Sequence, residues 1–401
     1  MHQENKYDWG EGVFTLLSWF RKEKVKNARV LVAGAGALGN EVVKDLALFG
    51  VGHIVVVDFD RIELSNLTRS VLFREDDAYA HRYKAEVVAR RAMEINPQIK
   101  VTPIIGNLFS DVGLGVYREV DVVIGCLDSR IARYQLNRMA FRAGKSWVDG
   151  SIENLKGVVR VFTPGINCYE CGLTREEFNH IMVRTGCADV VRVQTAHGRV
   201  ATTPVSASIV GAVEVQEAMK VIHRDTYEEG HSPFKTLEGK MWVYNGMNCT
   251  VTIYNTSAWK NNCPSHEVWE PVISDGEMSA DMTVGKALER IKEVCGVCNV
   301  EINMMNNRFV ETIISERPEK EFKVMVAESK LDEVIESDKK MRDLSKITLF
   351  RKIFHENISE DFPFKDLTLR EIGIPYFDVL KVSTEKGEFY VELGGDRHLY
   401  E

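Results

Sequence analysis

The 401-residue sequence has no feature that would place it in a membrane, in a secretory pathway or on nucleic acid. It contains no apolar run near the roughly 18 residues that a membrane-spanning helix needs, and no secretory signal pattern. Basic residues form no cluster and the net charge is −8, which argues against nucleic acid as the main partner. We therefore expect a cytoplasmic protein that acts on neither membranes nor nucleic acids.

Cysteine is sparse as well, with eight residues, and a reducing cytoplasm would keep their thiols free. Disulfides are then not expected, so each cysteine must be explained by packing, metal binding or catalysis. The 44% hydrophobic content is enough for a large core, and a chain of this length is expected to divide into two domains.

A glycine-rich turn between a strand and a helix is the first sign of a ligand. Residues 28–33 are rich in β-branched and aliphatic residues, Gly34, Gly36 and Gly39 follow, and a helical period then runs to Gly50. The glycines let backbone N–H groups approach a phosphate, and the helix N-terminus adds positive partial charge. The pattern predicts a phosphate-binding loop; a tight turn without a ligand is the alternative.

A carboxylate follows at the distance expected for a ribose contact. The apolar strand His53–Val57 ends in Asp58, 19 residues after Gly39, where a carboxylate can accept hydrogen bonds from ribose hydroxyls. The order strand, loop, helix, strand and acid predicts an α/β fold with a Rossmann-like, mostly parallel sheet flanked by helices.

Polar residues around and beyond Asp58 favour ATP over NAD. Asp60, Asn66 and Arg69 follow closely, and Lys84 begins an amphipathic helix. Hydride transfer needs no such cations, whereas displacement at an α-phosphate releases charged pyrophosphate, which Arg, Lys and a metal ion stabilise. The alternative is that each cation is a solvated surface charge. A further carboxylate, Asp128, follows a predicted strand and so lies where the carboxyl end of a parallel strand faces a crevice.

Five stretches resemble the ThiF-type adenylyltransferase superfamily, the adenylating core of ubiquitin-activating enzymes. They are GAGALG, DFDRIELSNLTR, YKAEVVAR, GCLDSRIARYQLN and VDGSIENLKGVVRVFTPGINCYECGL. The resemblance covers roughly residues 25–255. Within the superfamily, the stretches are most similar to the catalytic subunit of neddylation-activating enzymes and to compact bacterial relatives, some of which are linked to phage defence.

The resemblance implies ATP and Mg²⁺ as ligands, with Asp58 on the ribose and Asp128 on the magnesium ion. It further implies that Asn66, Arg69 and Lys84 contact the phosphates, and that Arg69, Lys84 and Asp128 take part in catalysis. The other expected residues of the nucleotide site are Gly34, Gly36, Ala37, Gly39, Asp60 and Leu127.

Two short-spaced ligand pairs predict a structural zinc site. Cys168 and Cys171 form a CxxC after a strand, and Cys263 and His266 form a CxxH about 90 residues later. Three sulfurs and one nitrogen close a tetrahedral Zn²⁺ site with no open position, which is structural rather than catalytic. A metal-free remnant or a redox CxxC are the alternatives. The related enzymes have a two-pair zinc site in these places, usually with four cysteines.

Cys187 is the candidate nucleophile, in the loop 175–203 before a long helix. The ubiquitin-activating relatives carry their thioester-forming cysteine in this interval. A thiolate attacks an acyl-adenylate well and keeps the acyl group transferable, and Arg184, Arg192 and His197 are near enough in sequence to lower the thiol pKa. The alternative is a plain loop cysteine. Two other cysteines, Cys126 and Cys249, are interpreted as packed residues.

The domain boundary is expected near residue 268. Residues 1–268 form the adenylation domain, and residues 269–401 form a small α+β domain after an acidic linker, Glu270–Asp281. The tail has the pattern of a helix at 367–372, a Gly-Ile-Pro turn and a strand hairpin. This ending resembles the ubiquitin-fold domain by which activating enzymes recruit a conjugating enzyme; a generic cap or dimerisation domain is the alternative.

Together these features predict an ATP-dependent activating enzyme for a ubiquitin-like protein. It would adenylate the C-terminal carboxylate of the modifier, form a thioester on Cys187 and pass the acyl group to a conjugating enzyme. The alternatives are a sulfur-carrier-protein adenylyltransferase without thioester transfer and a non-catalytic modifier-binding subunit. A homodimer is expected, and a heterodimer with an inactive half is the alternative. Relatives use an Arg-rich N-terminal helix to reach a partner's nucleotide, but here no Arg precedes Arg21, so another group supplies that charge or the contribution is absent.

Overall fold

The computed structural model describes residues 13–185, 202–227, 232–256, 258–305, 307–346 and 348–401. The chain divides into two compact units. The first contains most of the chain up to Val268, and the second contains Trp269–Glu401 together with the short stretch Phe109–Val116. Within the described part of the chain, every helix is too short or too polar to cross a lipid bilayer.

Eight strands form one sheet in the first unit. They are β1 (Arg29–Ala33), β2 (His53–Val57), β3 (Lys100–Ile104), β4 (Val122–Gly125), β5 (Trp147–Glu153), β6 (Lys156–Phe162), β7 (Lys240–Asn245) and β8 (Thr250–Asn255). Their order is β3-β2-β1-β4-β5-β6-β7-β8, and the pairings from β3 to β5 are parallel whereas those from β5 to β8 are antiparallel. The helices before and between these strands are α1 (Lys22–Asn27), α2 (Ala37–Phe49), α3 (Glu75–Tyr79), α4 (Lys84–Ile95), α5 (Leu114–Glu119), α6 (Arg130–Arg142), α7 (Arg175–Thr185) and α8 (Pro204–Ile222).

The predicted Rossmann-like sheet is confirmed, and its strands have the composition of a buried parallel sheet. Every residue of β2 and β4 is buried, and Val32 of β1 pairs with Val56 on one side and Ile124 on the other. Strands covered on both faces consist of near-continuous apolar runs, as these do. The connections run to opposite sides from β1, so the crevice beyond the carboxyl ends of β1 and β4 is where such a fold binds a ligand.

Local sequence signals fix the ends of the two helices that pack over this sheet. Helix α2 ends where Gly50 adopts the left-handed conformation with φ +78°, which favours glycine. Helix α8 begins at Pro204, preceded by Thr203, whose side chain accepts a hydrogen bond from the Ser206 N–H. The two helices approach closely at Gly211, where an added Cβ would lie 3.0 Å from the Cβ of Glu41.

The second unit is built from two smaller sheets and three helices among its described residues. Its elements are β9 (Val272–Asp275), α9 (Val284–Cys295), β10 (Val300–Asn303), β11 (Phe309–Glu316), β12 (Glu319–Ala327), α10 (Leu331–Ser337), α11 (Lys339–Leu344), β13 (Phe350–His355), β14 (Asn357–Ile358), β15 (Val379–Thr384) and β16 (Gly387–Leu393). The sheet orders are β14-β10-β15-β16-β9 and β12-β11-β13. This agrees with the expected α+β class, while the resemblance to a ubiquitin-fold domain stays a prediction.

The acidic linker predicted at Glu270–Asp281 was wrong, because strand β9 lies inside it. β9 pairs in parallel with the C-terminal strand β16, with Ile273 opposite Val391. Asp275 at its end forms a 2.7 Å ion pair with Arg290. The segment is short and acidic, and it forms a strand only because it pairs with a partner far away in sequence. Local composition therefore did not predict it.

The helix predicted at 367–372 was also wrong. Thr368 and Glu371 form a reciprocal pair of hydrogen bonds, in which each backbone N–H donates to the other side chain, as at a helix start. Gly373 then adopts φ +100° and Pro375 follows two residues later, so the segment stops after a single turn. The hairpin after it is confirmed, since β15 and β16 pair from Val379 to Thr384.

Cys249 is not a core residue. The alternating run around it forms two strands, β7 and β8, and Cys249 lies in the turn between them with φ +55° and an exposed side chain. Cys126 is confirmed as a packed residue, because it contacts the main core of the first unit and burial raises the pKa of its thiol.

Candidate functional site

The loop between β1 and α2 contains three glycines, and packing explains why glycine is required at only two of them. An added Cβ at Gly34 would lie 2.5 Å from the Cys126 carbonyl oxygen, and one at Gly39 would lie 2.0 Å from the Gly34 oxygen. Both glycines are therefore required by packing. At Gly36 an added Cβ meets nothing within 4 Å, so packing does not explain this glycine. The open space lies at the N-terminus of α2, where the first N–H groups have no partner inside the helix, and a phosphate fits there.

Asp58 joins the glycine loop to the end of β2. One carboxylate oxygen accepts the Ala35 N–H at 2.7 Å and the other accepts the Asp60 N–H at 2.8 Å. Burial raises the pKa of Asp58, and the charge of Lys84 opposes that rise. Each carboxylate oxygen can accept a second hydrogen bond, so the pair retains capacity for ribose hydroxyls.

Asp60 holds Lys84 beside this loop. The Lys84 ammonium lies 2.7 Å from an Asp60 carboxylate oxygen, and the Lys84 backbone N–H donates to the Asp60 carbonyl at 2.9 Å. The Lys84 side chain is 12% exposed, whereas that of Asp60 is 52% exposed. The Lys84 side chain is thus mostly covered, and its charge opposes the rise that burial causes in the pKa of Asp58.

Asn66 and Arg69 lie on the loop that follows β2. The Asn66 side-chain oxygen accepts the Glu63 N–H at 3.0 Å, and the Arg69 guanidinium donates to the Ser65 carbonyl at 2.9 Å. Both side chains are partly exposed. These bonds order the loop locally and leave the Asn66 amide and the remaining guanidinium N–H groups as donors.

A residue that the sequence analysis did not identify, Asn40 on α2, connects this loop to the glycine loop. Its fully buried amide donates to the carbonyls of Ala35 and Gly36 at 2.8 and 2.9 Å. Its oxygen accepts the Leu72 N–H at 2.9 Å, three residues after Arg69. A buried polar residue in a helical pattern carries no local signal of such a role, apart from its position directly after the last glycine.

Asp128 lies in the loop between β4 and α6. It is exposed, and within the described residues it has no hydrogen-bond or ion-pair partner. The loop is fixed on one side by the Cys126 N–H, which donates to Ala33 at 2.8 Å, and on the other by Ser129, whose hydroxyl accepts the Ala132 N–H at 3.0 Å. A single carboxylate together with substrate phosphates is a common way to hold Mg²⁺, so Asp128 fits that ion.

Among the described residues, hydrogen bonds bring part of the expected nucleotide set together. In the part of the chain that the structure describes, Asn66 and Arg69 bond only within their own loop, and Asp128 has no partner. Asp58 bonds the glycine loop, Asp60 bonds Lys84, and Asn40 ties the segment after Arg69 to the glycine loop. Their contacts with ATP stay predictions. Cys187, Arg192 and His197 lie outside the described residues, as does the side chain of Arg184.

The four predicted zinc ligands lie together. One donor atom from each of Cys168, Cys171, Cys263 and His266 lies within 4.8 Å of all the others. Sulfur ligands on a tetrahedral zinc ion are about 3.8 Å apart at Zn–S distances of about 2.3 Å, so the cluster fits the ion. The His266 ring stacks on the Trp259 ring at a centroid distance of 3.4 Å, which fixes its orientation.

Hydrogen-bond donors surround the sulfurs of this cluster. The Asn137 amide donates to the Cys168 sulfur and the Lys260 N–H donates to the Cys171 sulfur, each at 3.3 Å. The hydrogen bond between Cys168 and Cys263 lowers the pKa of Cys168 and raises that of Cys263, and burial raises the pKa of Cys171. The Asn137 and Lys260 donors favour the thiolate form, which binds zinc. Asn137, buried on α6, is a second residue that the sequence analysis missed.

Fold and site define an α/β protein with open space at the N-terminus of the helix that follows its glycine loop, and with a Cys/His cluster that can hold a metal. The model of the ThiF family matches residues 13–265, and the chain belongs to this family. Members and named relatives of the family are adenylyltransferases or activating enzymes.

Two relatives illustrate the range of the family. The NEDD8-activating enzyme E1 catalytic subunit of Schizosaccharomyces pombe is 39% identical over 161 residues, which are 38% of this chain and 36% of that protein. The molybdopterin-synthase adenylyltransferase of Escherichia coli is 31% identical over 231 residues, which are 57% of this chain and 83% of that protein. The chain thus spans about a third of the NEDD8-activating relatives that it matches.

Among solved structures, E. coli MccB has 25% sequence identity, with a TM-score of 0.48 over 61% of this chain and 68% of that chain. The match to the ThiF family ends at residue 265, before the Trp269–Glu401 part of the second unit.

Proposed function

We propose that the protein is an ATP-dependent activating enzyme for a ubiquitin-like protein. The observation that carries the proposal is the hydrogen-bonded set around the glycine loop. Asp58 faces the loop, Asp60 holds a covered Lys84 beside it, and Gly36 leaves open space at the N-terminus of α2. An anion-binding helix end, an acceptor for ribose and a nearby cation together suit a nucleoside triphosphate.

The proposed reaction begins with the C-terminal carboxylate of the modifier. A carboxylate oxygen attacks the α-phosphorus of ATP, the bond to the β-phosphate bridge breaks, and pyrophosphate leaves with its electron pair. Lys84 and Arg69 stabilise the negative charge that develops on the phosphates. A magnesium ion bound to Asp128 and the phosphates would neutralise further charge on pyrophosphate. The product is a mixed anhydride of the modifier and AMP.

Thioester formation is the proposed second step. The thiolate of Cys187 attacks the acyl carbon of the anhydride, the acyl–oxygen bond breaks, and AMP leaves as the anion. The thioester keeps the acyl group transferable to a conjugating enzyme. This step depends on the position of Cys187 in sequence and on the likeness to NEDD8-activating relatives.

The second unit is the proposed docking site for the conjugating enzyme, and the active form is proposed to be a homodimer in the cytoplasm. The α+β class of residues 269–401 supports the first proposal, and the thiols of the Cys/His cluster, which need a reducing compartment, support the location.

A sulfur-carrier-protein adenylyltransferase is the second candidate, and it would stop at the adenylate. The match to the E. coli molybdopterin-synthase adenylyltransferase over 83% of that protein favours it. The retention of Asp58, Lys84 and Asp128 argues against a non-catalytic subunit, which would have no use for the set.

Two assays test the proposed function. Pyrophosphate release from ATP is measured with candidate modifiers that end in a free carboxylate or in a C-terminal amide. Release with the carboxylate alone is the expected result, and equal release with the amide would refute adenylation of the terminus. The second assay separates the candidates: a thiol-sensitive adduct with the modifier should form on the wild type and be absent in Cys187→Ala. A sulfur-carrier adenylyltransferase would release pyrophosphate without that adduct.

A further inference from the structure

Arg133 on α6 is buried and makes a set of bonds that the reaction described above does not use. Its Nε donates to Asp149 at 2.7 Å, and one terminal nitrogen donates to the carbonyls of Gly150, at 3.1 Å, and of Leu127. Asp149 is fully buried at the end of the parallel part of the sheet, and Arg133 is 8% exposed.

The acceptor Leu127 lies directly before Asp128. Cys126 is tied to β1 and Ser129 caps α6, so the two ends of this loop are fixed by backbone and cap hydrogen bonds. The Arg133 guanidinium fixes the peptide between them. Asp128 therefore lies between neighbours that are each fixed by a hydrogen bond: Cys126 and Leu127 before it and Ser129 after it.

Buried charges around Arg133 keep it in place. Asp149 accepts from Arg133 through one oxygen and from Arg160 through the other, so one carboxylate lies between two guanidinium groups. The planar guanidinium can bond Asp149 and the two carbonyls at once because its donors point in fixed directions. A lysine at this position would keep the charge but could not keep all three bonds.

Glu214 on α8 is a further buried acidic residue beside Asp149 and Gly150. Its carboxyl is fully buried against Gly150, and an added Cβ at Gly150 would lie 2.3 Å from the Glu214 carboxyl carbon. Neither oxygen of Glu214 has a hydrogen-bond partner among the described residues. Burial raises the pKa of Glu214 well above its usual range, and the charge of Asp149 adds to that rise.

We propose that Arg133 is the positioning residue of the metal-binding carboxylate: anchored on Asp149, it holds the Leu127 carbonyl and thereby sets the place of Asp128. The proposal rests on the proposed function, because it takes Asp128 as the ligand of the magnesium ion. Arg133 itself touches neither nucleotide nor metal.

The test measures binding rather than turnover. Calorimetric titration of the full chain with the α,β-methylene analogue of ATP, with and without Mg²⁺, gives the factor by which Mg²⁺ raises the affinity. Arg133→Lys should reduce that factor about tenfold, the order of one charge-assisted hydrogen bond, while the affinity without Mg²⁺ stays within about twofold. A loss of folding alone would instead weaken binding in both conditions.

Arg160→Lys is the matched control, because Arg160 bonds the same carboxylate without reaching Leu127. It should keep the wild-type Mg²⁺ factor. An unchanged factor in Arg133→Lys, or an equal loss in both variants, would overturn the proposal. Where thermal unfolding shows that Arg133→Lys does not fold, Arg133→Gln serves, with the same expected loss.

Asp128→Asn separates this inference from the proposed function. If it abolishes the Mg²⁺ factor while Arg133→Lys leaves the factor intact, the positioning role is wrong and the metal ligand stands. If Mg²⁺ raises the affinity of Asp128→Asn for the analogue as much as that of the wild type, Asp128 is not the metal ligand. The proposed function then loses its metal site, independently of the result for Arg133→Lys.

Discussion

Arg133 and Asn137 lie one helical turn apart on α6, and each bonds a different candidate site. Arg133 donates to the Leu127 carbonyl beside Asp128, and Asn137 donates to the Cys168 sulfur of the Cys/His cluster at 3.3 Å. Residues four apart on a helix share one face, so a single buried face of α6 supports both sites. The Cys/His cluster and the loop that carries Asp128 are thus both bonded to the same helix.

The zinc site should be stabilising, and its loss should be measurable without an activity assay. We expect about one zinc ion per purified chain by elemental analysis, because four ligands close the site. Cys171→Ser should lose the metal and lower the thermal unfolding midpoint, and Asn137→Ala should weaken zinc binding about 10- to 100-fold. Cys249→Ser, in an exposed turn, should change neither. Wild-type protein purified without chelator and free of zinc would contradict the assignment.

Gly36 and Gly39 should respond differently to the same substitution. Gly36→Ala places a methyl group in open space, so the free energy of unfolding should change by less than about 0.5 kcal/mol. The affinity for an ATP analogue should fall at least about tenfold, because the methyl group occupies the place of a phosphate. Gly39→Ala meets the Gly34 oxygen at 2.0 Å and should cost about 1–3 kcal/mol of stability. If Gly36→Ala binds the analogue normally, the open space is not the phosphate position.

Asn40 should be worth more to stability than an exposed asparagine. Asn40→Ala leaves the buried Leu72 N–H and two carbonyls without this partner, so we expect a loss of about 1–3 kcal/mol in denaturant unfolding. Asn27→Ala, at the exposed end of α1, should stay within about 0.5 kcal/mol. Equal effects in the two variants would show that the Asn40 bonds contribute little.

Glu214→Gln should stabilise the protein increasingly as pH rises. The pKa of Glu214 is raised in the folded state, so the folded protein binds a proton that the unfolded chain releases above about pH 4.3. The wild type therefore loses stability relative to the variant, by at most about 1.4 kcal/mol per pH unit, between that pH and the folded pKa. Unfolding of both proteins across pH 4–8 measures the difference. Glu86→Gln on the exposed side of α4 is the control, and a flat difference for Glu214→Gln would contradict a raised pKa.

The structural features that the sequence predicted and the structure contains are those that leave a local pattern. Strands β1 and β2, the glycines and Asp58 follow one another at fixed spacings, and the two ligand pairs of the Cys/His cluster are short motifs. Asn40, Arg133 and Asn137 have no such pattern, because their partners come from other elements that only the fold brings near. The sequence of a helix does not show whether such a polar residue is buried and hydrogen-bonded or exposed to solvent.

The tail shows a different limit of local reasoning. The Thr368–Glu371 pair is a true helix-start signal, and the structure contains its hydrogen bonds. The stop signal at Gly373 comes too soon for a helix to follow. Strand β9 was missed for a different reason, because its four residues form a strand only through their pairing with β16. A local stop signal thus ended the first segment, whereas a distant strand partner formed the second.

Adenylation of the modifier is best tested by the exchange of labelled pyrophosphate into ATP, in the presence of the modifier that supports pyrophosphate release. We expect Asp128→Ala to lose exchange by a factor of at least about 100, because charge on the phosphates is no longer neutralised, while Cys187→Ala exchanges at the wild-type rate. Exchange by Asp128→Ala at the wild-type rate would show that this carboxylate does not serve adenylation.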